Sequence, residues 1–119
     1  MTNQEAFDKI VKHLVDQKWV TASNDSGACV YLAADGCKCA VGCLIPPDQY
    51  KSSFEQNDVS IIYSEVPALA DISMDLLTYL QDFHDVWMTP DDVDNNVVRL
   101  ERIARDFGLD TSILTTFAK

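Results

Sequence analysis

The sequence contains no lysine or arginine between Lys51 and Arg99, and this absence determines where the charge of the 119-residue chain lies. Ten of the 19 acidic residues fall in that interval, and the other nine are balanced by nine basic residues, so the interval accounts for the formal net charge of −10. Nucleic-acid binding needs the opposite sign, which argues against direct nucleic-acid contact. The pattern favours a basic or nucleic-acid-binding protein partner. A solvated acidic surface that only aids solubility is the alternative.

Long apolar runs and histidines are also scarce. No segment approaches the roughly 20 apolar residues that a membrane-spanning helix needs, and the polar start "MTNQEAFDKI" does not have the pattern of a signal peptide. We therefore predict a soluble, cytoplasmic protein without membrane contact, whose thiols stay reduced. The two histidines offer few candidate bases for an enzyme. Hydrophobic residues make up 47% of the chain, enough for a single compact domain over residues 1–119.

Helical periodicity dominates the sequence. Apolar residues spaced i, i+3, i+4, i+7 predict an amphipathic helix over 3–18, a second over 73–87 with Ser73 as its N-cap, and a third from 89 to 108 with Thr89 as its cap. A last short helix follows Asp110. Residues 59–66 fit a strand or a helix equally well. The apolar face of the second helix consists of Leu76, Leu77, Leu80, Phe83 and Trp87, all expected to be buried.

One stretch predicts β-structure. "CVYLA" at 29–33 is rich in strand-forming residues, and Asp35-Gly36 is a strong tight-turn signal, so residues 37–39 would form a return strand. The predicted fold class is therefore α+β, a mainly helical single domain with one small β-hairpin. A two-residue turn would pair Leu32 with Cys39, whereas a three-residue loop with a bulge would pair Ala33 with Cys37.

The four cysteines allow three interpretations. The spacing C-x7-C-x-C-x3-C matches no strong zinc pattern, and only the second hairpin register could gather three sulfurs on one face. For thiol catalysis, Cys39 lies where a strand turns into a helix. His84 is the preferred base, with His13 as the alternative, and Asp85 or Asp82 would orient His84. The third interpretation is packing, since free cysteine behaves as a small buried hydrophobe. The candidate metal ligands are Cys29, Cys37, Cys39 and Cys43.

Packing is the interpretation that we favour, with Gly42 permitting a close approach of a neighbouring segment. It predicts that Cys39, Val41 and Leu44 are buried and that the chain holds no metal or other cofactor.

The helix over 73–87 also carries acidic residues on a second face. At about 100° per residue, four aspartates would project within about 80° of one another. We predict that this acidic ridge binds a protein partner, while a homo-oligomer with an apolar contact stays open. The ridge consists of Asp71, Asp75, Asp82 and Asp85.

The stretch "DGCKCAVGCLIPPDQY" (35–50), with "LLTYLQDFHD" downstream, resembles a family of small uncharacterised bacterial and phage proteins. Their shared core is DG-x-KCA-[VI]-G-x-LIPD-x-x-Y, followed by a helix with LQ-x-x-HD, and the resemblance covers roughly two thirds of the chain. Cys37, Cys43 and Pro47 depart from that core, which weakens a four-cysteine site. The resemblance implies no activity. A phage setting would imply interference with a host or defence protein.

Overall fold

The computed structural model describes residues 1–20, 30–32 and 38–117, and helices make up most of them. Within the described residues the α-helices are α1 (Asn3–Asp16), α2 (Val59–Glu65), α3 (Met74–Asp82), α4 (Val93–Asp106) and α5 (Ser112–Phe117). A π-helical turn, Phe83–Trp87, continues α3 directly. Short 3-10 turns lie at Gly42–Leu44, Ser52–Gln56 and Pro67–Leu69. The segment 59–66, which the sequence fitted equally well as a strand or a helix, is mostly occupied by helix α2.

Side chains cap the helix starts. Thr2 and Glu5 form a reciprocal capping box at α1, and Ser73 caps α3 as predicted by accepting a hydrogen bond from the Leu76 N–H. The predicted cap of α4 is wrong. Asp92 rather than Thr89 accepts from the first turn, at the Asn95 N–H, so the helix begins at Val93 and not directly after Thr89.

One hydrophobic cluster extends from Ala6 near the N-terminus to Leu114 in α5. The predicted burial of Cys39, Val41 and Leu44 is confirmed, with exposed fractions of 0%, 0% and 2%. Trp87, predicted to be buried, is instead 50% exposed. It closes the π-helical turn, whose wider winding rotates it away from the position that regular α-helical spacing would give.

The predicted hairpin, and with it the α+β class, is wrong. The described residues contain one isolated antiparallel bridge, between Leu32 and Lys38, and no strand. The bridge has the register of the three-residue loop, and the Cys39 N–H donates to the Tyr31 carbonyl at 3.2 Å. The turn itself, residues 33–37, lies outside the described residues.

Side chains form hydrogen bonds with the backbone groups that a longer β-ladder would pair. Glu55 accepts hydrogen bonds from the N–H groups of Tyr31 and Leu32, at 2.7 and 3.1 Å. Gln17 at the end of α1 both donates to and accepts from the backbone of Lys38, at 3.0 and 2.9 Å, and His13 donates to the same carbonyl. The chain then enters the 3-10 turn Gly42–Leu44, which ends any further strand pairing.

Polar side chains also join the helices at their ends. The Gln4 amide exchanges two hydrogen bonds with the backbone of Asp110, so α1 and the start of α5 are tied together. Asn3 accepts from the Ser73 N–H at 2.7 Å, which joins the start of α1 to that of α3. Helix α3 packs against both α2 and α4. No helix in the described part of the chain is long and apolar enough to cross a membrane.

Candidate functional site

The structure places the four aspartates of the predicted ridge on three segments. All four residues are exposed. Asp75 and Asp82 lie seven residues apart on α3 and therefore share a face. Asp71 precedes α3, and Asp85 lies in the π-helical turn. The spacing of a regular α-helix therefore does not place either of them on the face shared by Asp75 and Asp82.

Asp82 and Asp85 instead border a cleft of about 470 Å³, which we call the acidic cleft. It lies between the C-terminal part of α3 with its π-helical turn and the segment 55–60, with Val30 and Tyr31 contributing to it. Its charged lining residues are Glu55, Asp58, Asp82 and Asp85. Its uncharged lining residues are Val30, Tyr31, Asn57, Val59, Ser60, Thr78 and Gln81. Every charged residue that lines the described cleft is thus an acid.

Glu55 holds the wall of the acidic cleft together. Besides the Tyr31 and Leu32 N–H groups, its carboxylate accepts a hydrogen bond from the Tyr50 hydroxyl. Burial, together with this bond to a carboxylate, raises the pKa of Tyr50 to about 12. The Tyr31 hydroxyl donates to the Asn57 carbonyl at 2.9 Å, and burial raises the pKa of Tyr31 as well. The Glu55 carboxylate therefore has a structural role, because both of its oxygens already accept hydrogen bonds within the protein.

Asp58 caps α2 and is ionised at neutral pH. Its carboxylate accepts from the Ser60 hydroxyl at 2.6 Å and from the Ile61 N–H at 3.3 Å. These hydrogen bonds, with that of Ser60 the largest cause, lower the pKa of Asp58 below its usual value. Asp58 therefore lines the acidic cleft with a carboxylate that also caps α2, beside the carboxylates of Asp82 and Asp85.

A buried polar network positions Asp85. The Nδ1 of the fully buried His84 lies 2.7 Å from Asp85 Oδ1 and, since a carboxylate accepts, donates to it. Gln81 donates to the same oxygen at 3.0 Å and accepts from the Val41 N–H at 3.1 Å. The network connects the cleft carboxylate to the turn that follows Cys39.

Cys39 has the surroundings of a packing residue. It is fully buried, and its sulfur accepts a hydrogen bond from the Gly42 N–H at 3.2 Å. Burial raises the pKa of the Cys39 thiol, and the Gly42 bond offsets only part of that rise. Burial also raises the pKa of Cys43 to about 12. Thiols with raised pKa values carry little thiolate at neutral pH, which is unfavourable for a nucleophile.

The candidate metal site can be described only in part. Cys29 and Cys37 lie outside the described residues. Among those that are described, no group of three or more histidine, cysteine or acidic side chains could hold a metal ion. The expectation that the chain binds no metal stays a prediction.

A second depression, which we call the aromatic groove, adjoins the acidic cleft and encloses about 250 Å³. Its apolar lining consists of Tyr79, Phe83, Trp87 and Ile103, and its charged lining of Asp82, Arg99 and Arg102. Asp82 thus borders both depressions. The sequence pattern assigned Trp87 to the core and did not indicate this groove. The sequence feature that could have indicated the groove is the clustering of all three arginines within residues 99–105.

No protein-family model matches the sequence, and no curated protein or solved structure is significantly similar to the chain. The resemblance of the segment 35–50 to bacterial and phage proteins therefore stays a prediction.

Proposed function

We propose that this chain is a non-enzymatic binding protein whose acidic cleft engages a basic segment of a protein partner. The supporting observation is that the four charged residues lining the cleft are all acidic, in a chain whose net charge of −10 lies in the same part of the sequence. Such a concentration of one sign steers a basic partner to the site and raises its association rate in a salt-dependent way.

The chemistry of the cleft supports binding rather than catalysis. Asp58 caps α2, and Glu55 and Asp85 accept hydrogen bonds from neighbouring residues, so three of its four carboxylates already have structural partners. The Cys39 thiol is buried and has a raised pKa. The resemblance to phage and bacterial proteins favours a host or defence protein as the target, inhibited by occupation of its basic surface. If that surface normally holds nucleic acid, this chain would compete with nucleic acid for it.

The proposal is tested by affinity capture from a bacterial lysate at low and high salt, with bound proteins identified by mass spectrometry. The test variant is Asp82→Asn with Asp85→Asn. The matched control is Asp91→Asn with Asp94→Asn, which makes the same change in net charge outside the cleft. A specific partner should be captured by the wild type and the control at low salt, several-fold less by the test variant, and less by all three at high salt. Salt-insensitive capture that is equal for wild type and test variant would refute the role of the cleft.

A further inference from the structure

The aromatic groove presents cationic and aromatic groups that the acidic cleft does not use. Trp87 is 50% exposed and Tyr79 is 56% exposed, although both are large side chains that gain from burial. Tryptophan, tyrosine and arginine are also the residues most often found to dominate binding energy at protein interfaces.

The groove is held in place before any ligand arrives. The Arg99 guanidinium lies over the Trp87 ring, with its carbon 3.8 Å from the ring centroid. Tyr79 makes an edge-to-face contact with Phe107, with ring centroids 6.0 Å apart. Tyr79 and Trp87 therefore keep their positions at little further cost in conformational entropy.

Within the described part of the chain, no carboxylate forms an ion pair with either arginine of the groove, Arg99 or Arg102, although the chain has 19 acidic residues. In addition, Arg99 Nε is buried and makes no hydrogen bond. On the same helix Arg105 pairs with Glu101, with Nη2 and Oε2 3.7 Å apart. Arg99 and Arg102 are three residues apart, so their guanidinium groups leave α4 on one side.

The size and charge of the groove select among anionic ligands. A volume of about 250 Å³ is below the roughly 300–1,000 Å³ of small-molecule sites, so it suits one aromatic ring better than a whole cofactor. A guanidinium fork suits a carboxylate. Nucleic acid is disfavoured because its phosphates would face the adjoining acidic cleft.

We propose that the aromatic groove binds an aromatic side chain of a partner protein, with Arg99 and Arg102 binding the carboxylate of an adjacent acidic residue. The ring would lie against Trp87, Tyr79 and Ile103. This site goes beyond the acidic cleft, since its charge is opposite and its ligand different. Because Asp82 borders both depressions, one partner segment with a basic and an acidic-aromatic part can occupy both.

The probe for this site is the capped dipeptide acetyl-Glu-Phe-amide, compared with acetyl-Gln-Phe-amide and acetyl-Glu-Ala-amide. Binding to the full chain is followed by the NMR signal of the Trp87 indole N–H, assigned with a Trp87→Phe variant. We expect saturable binding of the first peptide. Loss of either the carboxylate or the ring should weaken it about tenfold, as expected for a charge-assisted hydrogen bond or a buried ring.

The test variants are Arg99→Gln and Arg102→Gln, and the matched control is Arg105→Gln on the same helix. Each test variant should weaken acetyl-Glu-Phe-amide several-fold, and the control should bind as the wild type does. Arg102 is exposed, so its replacement tests the site even if Arg99→Gln disturbs the fold.

Equal binding of the Glu and Gln peptides, or wild-type affinity in both test variants, would overturn the proposal. So would tighter binding of adenosine monophosphate than of acetyl-Glu-Phe-amide, since that result would assign the groove to a nucleotide. Asp58→Asn, which keeps a capping side chain and lies on the acidic cleft but not on the aromatic groove, should leave peptide binding unchanged. A failure of one site is thereby distinguished from a failure of the other.

Discussion

The buried side-chain amide of Asn96 forms hydrogen bonds with both backbone groups of Thr89. Its Oδ1 accepts from the Thr89 N–H at 3.1 Å, and its Nδ2 donates to the Thr89 carbonyl at 2.6 Å. Asn96 lies on α4, and Thr89 follows Trp87 by two residues. The pair therefore joins the helix that carries Arg99 to the segment that carries Trp87, and holds the two sides of the aromatic groove together.

Asn96→Ala should destabilise the protein by about 1–3 kcal/mol, because it leaves the partly buried N–H and carbonyl of Thr89 without their side-chain partner. The measurement is urea unfolding. The matched control is Asn95→Ala, which makes the same gain in helix propensity at a partly exposed neighbouring position. The Trp87 indole N–H signal should shift in the first variant only. Equal stability of the two variants would show that the pairing with Thr89 contributes nothing.

Gly42 should tolerate no side chain. A Cβ there would lie 2.0 Å from the Tyr31 carbonyl oxygen and 3.1 Å from the Cys39 sulfur. Because the first of these is a backbone atom in the core, we expect Gly42→Ala to cost about 3 kcal/mol or more in the free energy of unfolding.

Gly108→Ala provides the comparison, because it strains the backbone without a clash. Gly108 has a φ of +65°, and nothing lies within 4 Å of an added Cβ. We expect a loss of about 1–2 kcal/mol, the cost of the left-handed conformation for alanine. Chemical denaturation measures both variants. A smaller loss for Gly42→Ala than for Gly108→Ala would contradict the close packing of the turn Gly42–Leu44 against Tyr31.

Sequence periodicity predicted α1, α3 and α4 because each of them buries one apolar face, whereas it left α2 open between strand and helix. The stripe of α1, formed by Phe7, Ile10, Val11 and Leu14, is fully buried. Periodicity failed at Trp87, since nothing in the apolar pattern distinguishes a π-helical turn from a continuing α-helix. Because the pattern assigned Trp87 to the core, it gave no indication of the aromatic groove that Trp87 lines.

The hairpin and the acidic cleft depended on contacts between distant residues. Local β-propensity at residues 29–33 was outweighed by Glu55 and Gln17, whose side chains bind the backbone of Tyr31 and Lys38 across more than 20 positions. Likewise, Asp82 and Asp58 border one cleft only because α2 packs against α3. The local sequence pattern recorded the acidity of this region but not which carboxylates meet.

Tyr50 gives the protein a specific alkaline sensitivity. Its pKa is raised to about 12 in the folded chain, whereas an unfolded tyrosine titrates near 10, so the folded state holds this proton more tightly. The tighter binding of this proton therefore adds to the free energy of unfolding. Its contribution is complete below a pH of about 10 and is lost as the pH rises toward about 12. Ultraviolet titration of tyrosinate should show one late-titrating group fewer in Tyr50→Phe, with Tyr63→Phe as control. Glu55→Gln should shift the Tyr50 titration to lower pH. An unchanged titration in Glu55→Gln would exclude the carboxylate as a cause.

Cys39 should resist alkylation in the native protein at neutral pH. Its sulfur is fully buried and its pKa is raised, so iodoacetamide can reach a thiolate only after the turn Gly42–Leu44 opens. Mass spectrometry of proteolytic peptides after timed labelling resolves Cys39 from the other thiols. We expect its rate to be at least about a hundredfold below that in urea, because a local opening that costs about 3 kcal/mol already reduces the reactive population by that factor. Gly42→Ala, which weakens the same turn, should accelerate labelling, and His84→Ala should not slow it. Native labelling of Cys39 as fast as in urea, and dependent on His84, would instead support the catalytic pair that the sequence left open.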